Sequence, residues 1–209
     1  MMEITNLEAI ESLGHLLAYY KSDLEYISKF NLFMNNQINA EDYLTEKNSG
    51  FQKFINEFKI ARNIKKKRVK DLMVFIKVSK LLEDTKAVDA FAEEIKKKKL
   101  THKGKVMTVL ASKIFFLNQP DRLIPMDSLN KKPFGLKENK YEDFESKING
   151  FINENGKILS AYLDNVRDYL IKIENSVNIK MDFEKYRINR LTDKYLWVKG
   201  RKLNLLKRA

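Results

Sequence analysis

Apolar residues recur at helical spacing along nearly the whole chain. In residues 6–20 they share one helical face, formed by Leu7, Ile10, Leu13, Leu17 and Tyr20. Similar patterns predict helices over residues 22–35, 51–58, 72–82, 87–99, 106–117, 141–153, 157–173 and 182–198. Glycine and proline are scarce, and alternating runs bounded by turn residues are almost absent. The pattern therefore predicts an all-α protein.

The lengths of these segments predict a compact bundle of short helices. A chain of 209 residues with 44% hydrophobic content can bury a substantial core. We predict one helical domain over residues 1–209, with two lobes, 1–95 and 96–209, as the alternative. The helix at 106–117 is apolar on most sides, so we expect it at the centre of the core. The last helix is expected to end at Gly200.

All three prolines of the chain lie in one stretch, residues 116–135. Pro125 fixes its own φ and biases Ile124 towards extended geometry, so the preceding helix cannot continue. Asp127 or Ser128 then stands at the N-cap position of a short helix. A carboxylate held there by backbone N–H groups and the helix dipole suits a catalytic or cation-stabilising acid. A plain structural cap is the alternative interpretation.

The positive charge is concentrated in the middle of the chain. The net charge of +12 divides into −4 for residues 1–60, +12 for residues 61–137 and +4 for residues 138–209. Such a localised field favours a polyanionic partner, most commonly nucleic acid. The alternative is that the lysines only keep the helices soluble.

The residue types present exclude several kinds of site. Cysteine is absent, which rules out disulfides, thiolate catalysis and cysteine-bound zinc. The two histidines, His15 and His102, are too far apart in sequence for a helical metal-binding pair. A site in which carboxylates hold magnesium or calcium is compatible with the composition, but no metal site or cofactor is predicted. With no apolar run near 18 residues and no basic leader, we expect a cytoplasmic protein without a membrane partner.

One part of the chain resembles a known family. LTHKGK at residues 100–105 is followed by an apolar helix, a short loop and RLIPMDS at residues 122–128. Over residues 96–136 this order resembles the core of helix-hairpin-helix DNA glycosylases. In that family, hairpin amides grip a DNA phosphate. An aspartate that caps a later helix stabilises the sugar cation as the base departs, or activates water.

The resemblance implies a role for Asp127 as the catalytic carboxylate and for Gly104 in the hairpin turn. Thr101 and His102 stand where the family has its hairpin proline and first glycine. The Schiff-base lysine of bifunctional members would fall at Val106 or Met107, with Lys105 and Lys113 only nearby, so water is the expected nucleophile. The expected nucleic-acid contacts are Lys99, His102, Lys103, Gly104, Lys105, Ser128 and Lys131.

Three functions follow from these features. The first is a monofunctional DNA glycosylase that removes a damaged or modified base. The second is a non-enzymatic DNA- or RNA-binding protein, such as a subunit of a repair or defence complex, which requires only the charge. The third is a helical interaction protein whose lysines serve solubility. Steep salt dependence of binding would separate the third function from the first two.

Overall fold

A computed structural model describes residues 2–79, 81 and 87–206 of the chain. Lys80 and Leu82, at the end of one predicted helix, lie outside the described residues. The backbone of Lys103 is described and its side chain is not. Within the described residues the all-α prediction is confirmed, because the elements are helices and a single isolated β-bridge.

The described residues form nine α-helices, which define the architecture. They are α1 (Asn6–Met34), α2 (Ala40–Thr45), α3 (Phe51–Glu57), α4 (Val69–Val78), α5 (Ala87–Lys97), α6 (Thr108–Asn118), α7 (Tyr141–Asp164), α8 (Arg167–Glu174) and α9 (Phe183–Leu206). Short 3-10 turns lie at Ala61–Asn63, Lys66–Arg68, His102–Gly104 and Lys132–Phe134.

Helix α1 is continuous, so the prediction of two helices in this region is wrong. Asp23, a polar residue close to the predicted break between the two helices, is buried in the helix interior. Its carboxylate pairs with the guanidinium of Arg190 on α9. A polar position in the middle of the apolar pattern thus marks a buried ion pair rather than a turn.

Two glycines lie inside helices where the sequence predicts helix ends. Gly156 is an interior residue of α7, which breaks instead at Asn165 and Val166. Helix α9 continues past Gly200 to Leu206. A side chain at Gly200 would overlap the backbone carbonyl of Leu129. Glycine therefore allows α9 to approach the turn that follows Asp127.

Helix α6 lies at the centre of the core, as its apolar composition predicts. All of its residues from Leu110 to Leu117 are buried. Helices α1 and α9 pack along each other in opposite directions, because Glu8 pairs with Lys199 while Asp23 pairs with Arg190. Both helices also contribute to the charged surroundings of α6 described below.

Candidate nucleic-acid interface

Two basic runs that are distant in sequence lie side by side in the structure. An isolated antiparallel bridge joins Ile64 to Thr101, and the backbone N–H of Lys65 donates to the carbonyl of Leu100 at 3.4 Å. Residues 61–70 and 96–105 are thereby brought together, and we call these two segments the basic face. Ile64, Leu100 and Thr101 are buried, so the contact is anchored in the core.

The basic face carries a high density of positive charge. Each of its two segments contains six lysines or arginines and no acidic residue. Among the described side chains, ion pairs join Arg68 to Asp71, Lys70 to Glu41 and Lys96 to Glu93. The exposed cations that make no ion pair with a described residue are Arg62, Lys66, Lys67, Lys97, Lys98, Lys99 and Lys105. This arrangement provides multiple cations for a polyanion.

The loop between α5 and α6 contains two residues with left-handed backbone geometry. Lys99, two residues after the end of α5, has a φ of 55°, and the N–H of Leu100 donates to the carbonyl of Ile95 at 3.2 Å. Gly104 has a φ of 57° and is exposed. The hydroxyl of Thr101 donates to the carbonyl of Lys105 at 3.1 Å and closes the turn. Glycine adopts left-handed geometry without strain, so Gly104 suits its position. Lys99, just after α5, occupies a position where glycine is the usual residue.

The segment that leads to Asp127 is fixed by two hydrogen bonds to helices. The hydroxyl of Ser112 on α6 accepts from the N–H of Met126 at 3.0 Å. The hydroxyl of Tyr141 at the start of α7 donates to the carbonyl of Ile124 at 3.0 Å. Asp127 is therefore held close to the first half of α6.

Asp127 caps a turn rather than the helix that the sequence predicts. Its Oδ1 atom accepts from the N–H groups of Leu129 at 2.7 Å and Asn130 at 2.9 Å. In return, the side-chain oxygen of Asn130 accepts from the N–H of Asp127 at 2.7 Å. The chain then makes turns and a short 3-10 segment, Lys132–Phe134, ended by Gly135 in left-handed geometry. The second oxygen, Oδ2, accepts no hydrogen bond from any described residue.

Asp127 belongs to a cluster of charged side chains between α6 and α9. The amide of Asn130 donates to Asp193 at 3.0 Å, and Asp193 also pairs with Arg190 at 2.9 Å. Burial and the nearby charge of Asp193 raise the pKa of Asp127 above its ordinary range. Asp127 itself is only partly exposed to solvent.

Lys113 supplies a buried amine to the same cluster. Its Nζ donates to the carbonyl of Phe58 at 2.8 Å, and its side chain is nearly buried. Burial lowers the pKa of Lys113, the carboxylates of Asp127 and Asp193 oppose that shift, and Arg62 adds to it. Arg62 belongs to the basic face, and it is among the charges that lower this pKa.

The structure brings together only some of the residues predicted from sequence. Lys99, His102, Gly104 and Lys105 lie on the basic face, and Ser128 is exposed beside Asp127. The side chain of Lys103 lies outside the part of the chain that the structure describes.

Lys131, which was expected to contact nucleic acid, makes hydrogen bonds within the protein. Its amine donates to the carbonyls of Lys137 at 2.8 Å and Glu138 at 3.1 Å, and to the side chain of Asn139 at 2.6 Å. With three donors engaged and the side chain buried, this amine is occupied by the neighbouring loop rather than offered to a phosphate.

Sequence reasoning missed the buried partners of Asp127 and the second half of the basic face. Lys113 and Asp193 are 14 and 66 residues from Asp127 in the numbering, and no spacing in the sequence places either side chain near its carboxylate. The segment 61–70 is visibly basic, but no local pattern places it against residues 96–105. The available signal is that each basic run is interrupted by an apolar residue, Ile64 in one and Leu100 in the other, which the structure buries.

Comparison of the chain with protein-family models, curated proteins and solved structures gave no match. The likeness to helix-hairpin-helix glycosylases therefore stays a hypothesis drawn from the residues of this chain. Among the described helices, none is long and apolar enough to cross a membrane. In the same residues, no cluster of three or more histidine, aspartate or glutamate side chains is arranged to hold a metal ion.

Proposed function

We propose that the protein binds nucleic acid, and DNA in the first place, through the basic face. The observation that carries this proposal is the convergence of residues 61–70 and 96–105 at the bridge between Ile64 and Thr101. Lysine and arginine contact phosphates without reading base sequence, so binding should depend little on sequence. Lys66 and Lys67 are exposed and make no ion pair with a described residue, so both are free to contact phosphates.

The test is the salt dependence of DNA binding, measured by fluorescence anisotropy. The double variant Lys66→Gln/Lys67→Gln should weaken binding and reduce the slope of log K against log salt by about 0.9 per lost phosphate contact. The matched control is Lys147→Gln/Lys157→Gln, which removes two exposed lysines of α7. If both pairs weaken binding equally, the basic face is not the interface.

A second function, cleavage of an N-glycosidic bond, is favoured by the geometry of Asp127. Two backbone amides fix Oδ1, while Oδ2 accepts no hydrogen bond from a described residue and the side chain is partly exposed. A carboxylate held in this way is oriented to stabilise a sugar cation. Its raised pKa also moves it towards the range in which a carboxylate can take a proton from water.

In this second function, water is the proposed nucleophile, and the amine of Lys113 is the alternative nucleophile. The amine of Lys113 shares a charged cluster with Asp127, and burial lowers its pKa, which increases the fraction in the nucleophilic form. Its hydrogen bond to Phe58 and its burial favour water, because both hold the amine back from a substrate.

The enzyme assay uses DNA duplexes that carry a panel of damaged and modified bases. Abasic sites formed by the native protein would appear as strand breaks after alkali treatment, and Asp127→Asn should abolish them without loss of DNA binding. Borohydride is added in parallel, because it traps a covalent intermediate only if an amine is the nucleophile. Equal cleavage by the native protein and Asp127→Asn would overturn the catalytic role of Asp127.

A further inference from the structure

An open groove borders the basic face along α4. Its volume is about 370 Å³, and its lining includes Arg68, Asp71, Val74, Phe75, Val78 and Lys98. Val74 and Val78 are one helical turn apart and remain 56% and 68% exposed. The groove thus combines an apolar wall with cations of the basic face at its edge.

We propose that this groove binds an unpaired base of single-stranded nucleic acid. The base would cover Val74 and Val78, and the adjacent phosphates would be held by Lys98 and neighbouring cations of the basic face. This inference rests on the proposed nucleic-acid function and specifies the strand state of the ligand.

The charges around the groove fit an anionic chain that carries apolar faces. Lys98 lies over the ring of Phe75 at 5.0 Å, so its amine stands at the edge of the groove. The carboxylate of Asp71 is paired with Arg68 at 2.6 Å, which reduces its repulsion of phosphates. Single-strand binding sites combine a cationic groove with flat faces on which bases stack, commonly aromatic rings, and here Val74 and Val78 would provide the apolar face.

A duplex does not use the apolar wall in the same way. In a duplex the faces of the bases are stacked on one another, so the protein meets phosphates and groove edges. In a single strand the faces are free to cover apolar side chains. Exposed Val74 and Val78 should therefore strengthen the binding of a single strand and leave duplex affinity unchanged.

The experiment compares the double variant Val74→Ser/Val78→Ser with the native protein. Binding of a fluorescein-labelled oligothymidine and of a duplex of equal length is measured by anisotropy at the same salt concentration. The matched control is Leu7→Ser/Ile10→Ser, which alters two exposed apolar residues at the start of α1. Circular dichroism checks that both variants keep the native helix content, and sedimentation measures their oligomeric state.

We expect the groove variant to bind the single strand about tenfold more weakly, the effect of losing roughly one base contact. Duplex binding should not change, and the control variant should match the native protein with both ligands. Unchanged single-strand affinity would overturn the inference while leaving the proposed function intact. A changed oligomeric state without loss of single-strand affinity would assign the groove to contacts between copies. Absence of salt-sensitive binding to either ligand would overturn the proposed function itself.

Discussion

At the scale of single residues, Asp127 caps a turn with its carboxylate, and its surroundings disfavour the charged form of that carboxylate. Its Oδ1 accepts two backbone N–H groups, a contact that asparagine can also make. Burial and Asp193 raise its pKa above the ordinary value of 3.8. The folded protein therefore holds this proton more tightly than the unfolded chain does. The resulting contribution to stability is complete below pH 3.8 and is lost as the pH rises through the folded-state pKa.

Asp127→Asn should accordingly gain stability relative to the native protein as the pH rises from acid to neutral. The free energies of unfolding are compared by urea denaturation across that range. Asp127→Ala should show the same pH trend but lie about 1 kcal/mol below Asp127→Asn at every pH, because alanine cannot cap the turn. Asp164→Asn, at an exposed pair with Arg167, serves as the control and should show no such gain. A constant difference between Asp127→Asn and the native protein would contradict the raised pKa.

At the scale of elements, the position of α9 depends on the absence of a side chain at Gly200. We expect Gly200→Ala to lower the free energy of unfolding by about 1–3 kcal/mol or more, because the new methyl group would overlap the carbonyl of Leu129. Gly150→Ala is the matched control, since Gly150 lies inside α7 and a Cβ there meets no heavy atom within 4 Å. That control should gain about 0.5–1 kcal/mol from reduced freedom of the unfolded chain. Thermal and urea unfolding measure both changes.

Replacing Lys99, just after α5, should change the stability of the protein and its affinity for nucleic acid in opposite directions. Lys99 adopts left-handed geometry, which costs roughly 1–2 kcal/mol for a residue with a Cβ. Lys99→Gly should raise the free energy of unfolding by about 1 kcal/mol and weaken nucleic-acid binding through the lost charge. Lys99→Ala keeps the unfavourable geometry and should weaken binding equally without the gain in stability. Full affinity in both variants would exclude Lys99 from the interface.

The sequence predicts elements well where the signal is local and fails where the contact is distant. The apolar composition of α6 is a local property, and it correctly predicts a central helix. The sequence does not show that the helix continues through Asp23, because the partner of Asp23, Arg190, is far along the chain. Gly200 looks like a helix end because nothing in the sequence shows that the backbone of Leu129 approaches it.

The same limit applies to the candidate site. The cap at Asp127 follows from its proline-bounded segment and could be predicted, although the element that it caps is a turn. The sequence places Lys113 in an apolar helix, near but not at the position of a Schiff-base lysine. Its proximity to Asp127 could not be predicted, since it depends on how the chain folds back on α6. The basic runs are visible in sequence, but the bridge between Ile64 and Thr101 depends on the tertiary fold.

At the scale of the whole molecule, charge and core are distributed differently along the chain. The basic face comes from the middle of the sequence, whereas α1 and α9, the first and last helices, pack together. Interface variants such as Lys66→Gln/Lys67→Gln should therefore leave unfolding within about 0.5 kcal/mol of the native protein, because they alter exposed residues away from that packing. Urea denaturation of these variants separates a loss of binding from a loss of folded protein.

The ion pair between α1 and α9 leads to a prediction for folding of the entire chain. Arg190 is fully buried, pairs with Asp23 and Asp193, and lies over the ring of Phe116. Arg190→Met should lower the free energy of unfolding by about 3–5 kcal/mol, because it leaves buried carboxylates without their cation. Arg167→Gln removes two exposed ion pairs, with Asp164 and Glu184, and should cost at most about 1 kcal/mol.

The same unfolding experiment reports whether the two ends of the chain lose their structure together. The single tryptophan, Trp197, lies on α9 with its ring 5.0 Å from that of His15 on α1, so its fluorescence follows the packing of these helices. Because α1 also contacts α6, α7 and α8, separation of α1 from α9 should expose the central helix at the same time. The fluorescence and circular dichroism transitions of the native protein should therefore coincide. Two separate transitions would instead support independent lobes over residues 1–95 and 96–209.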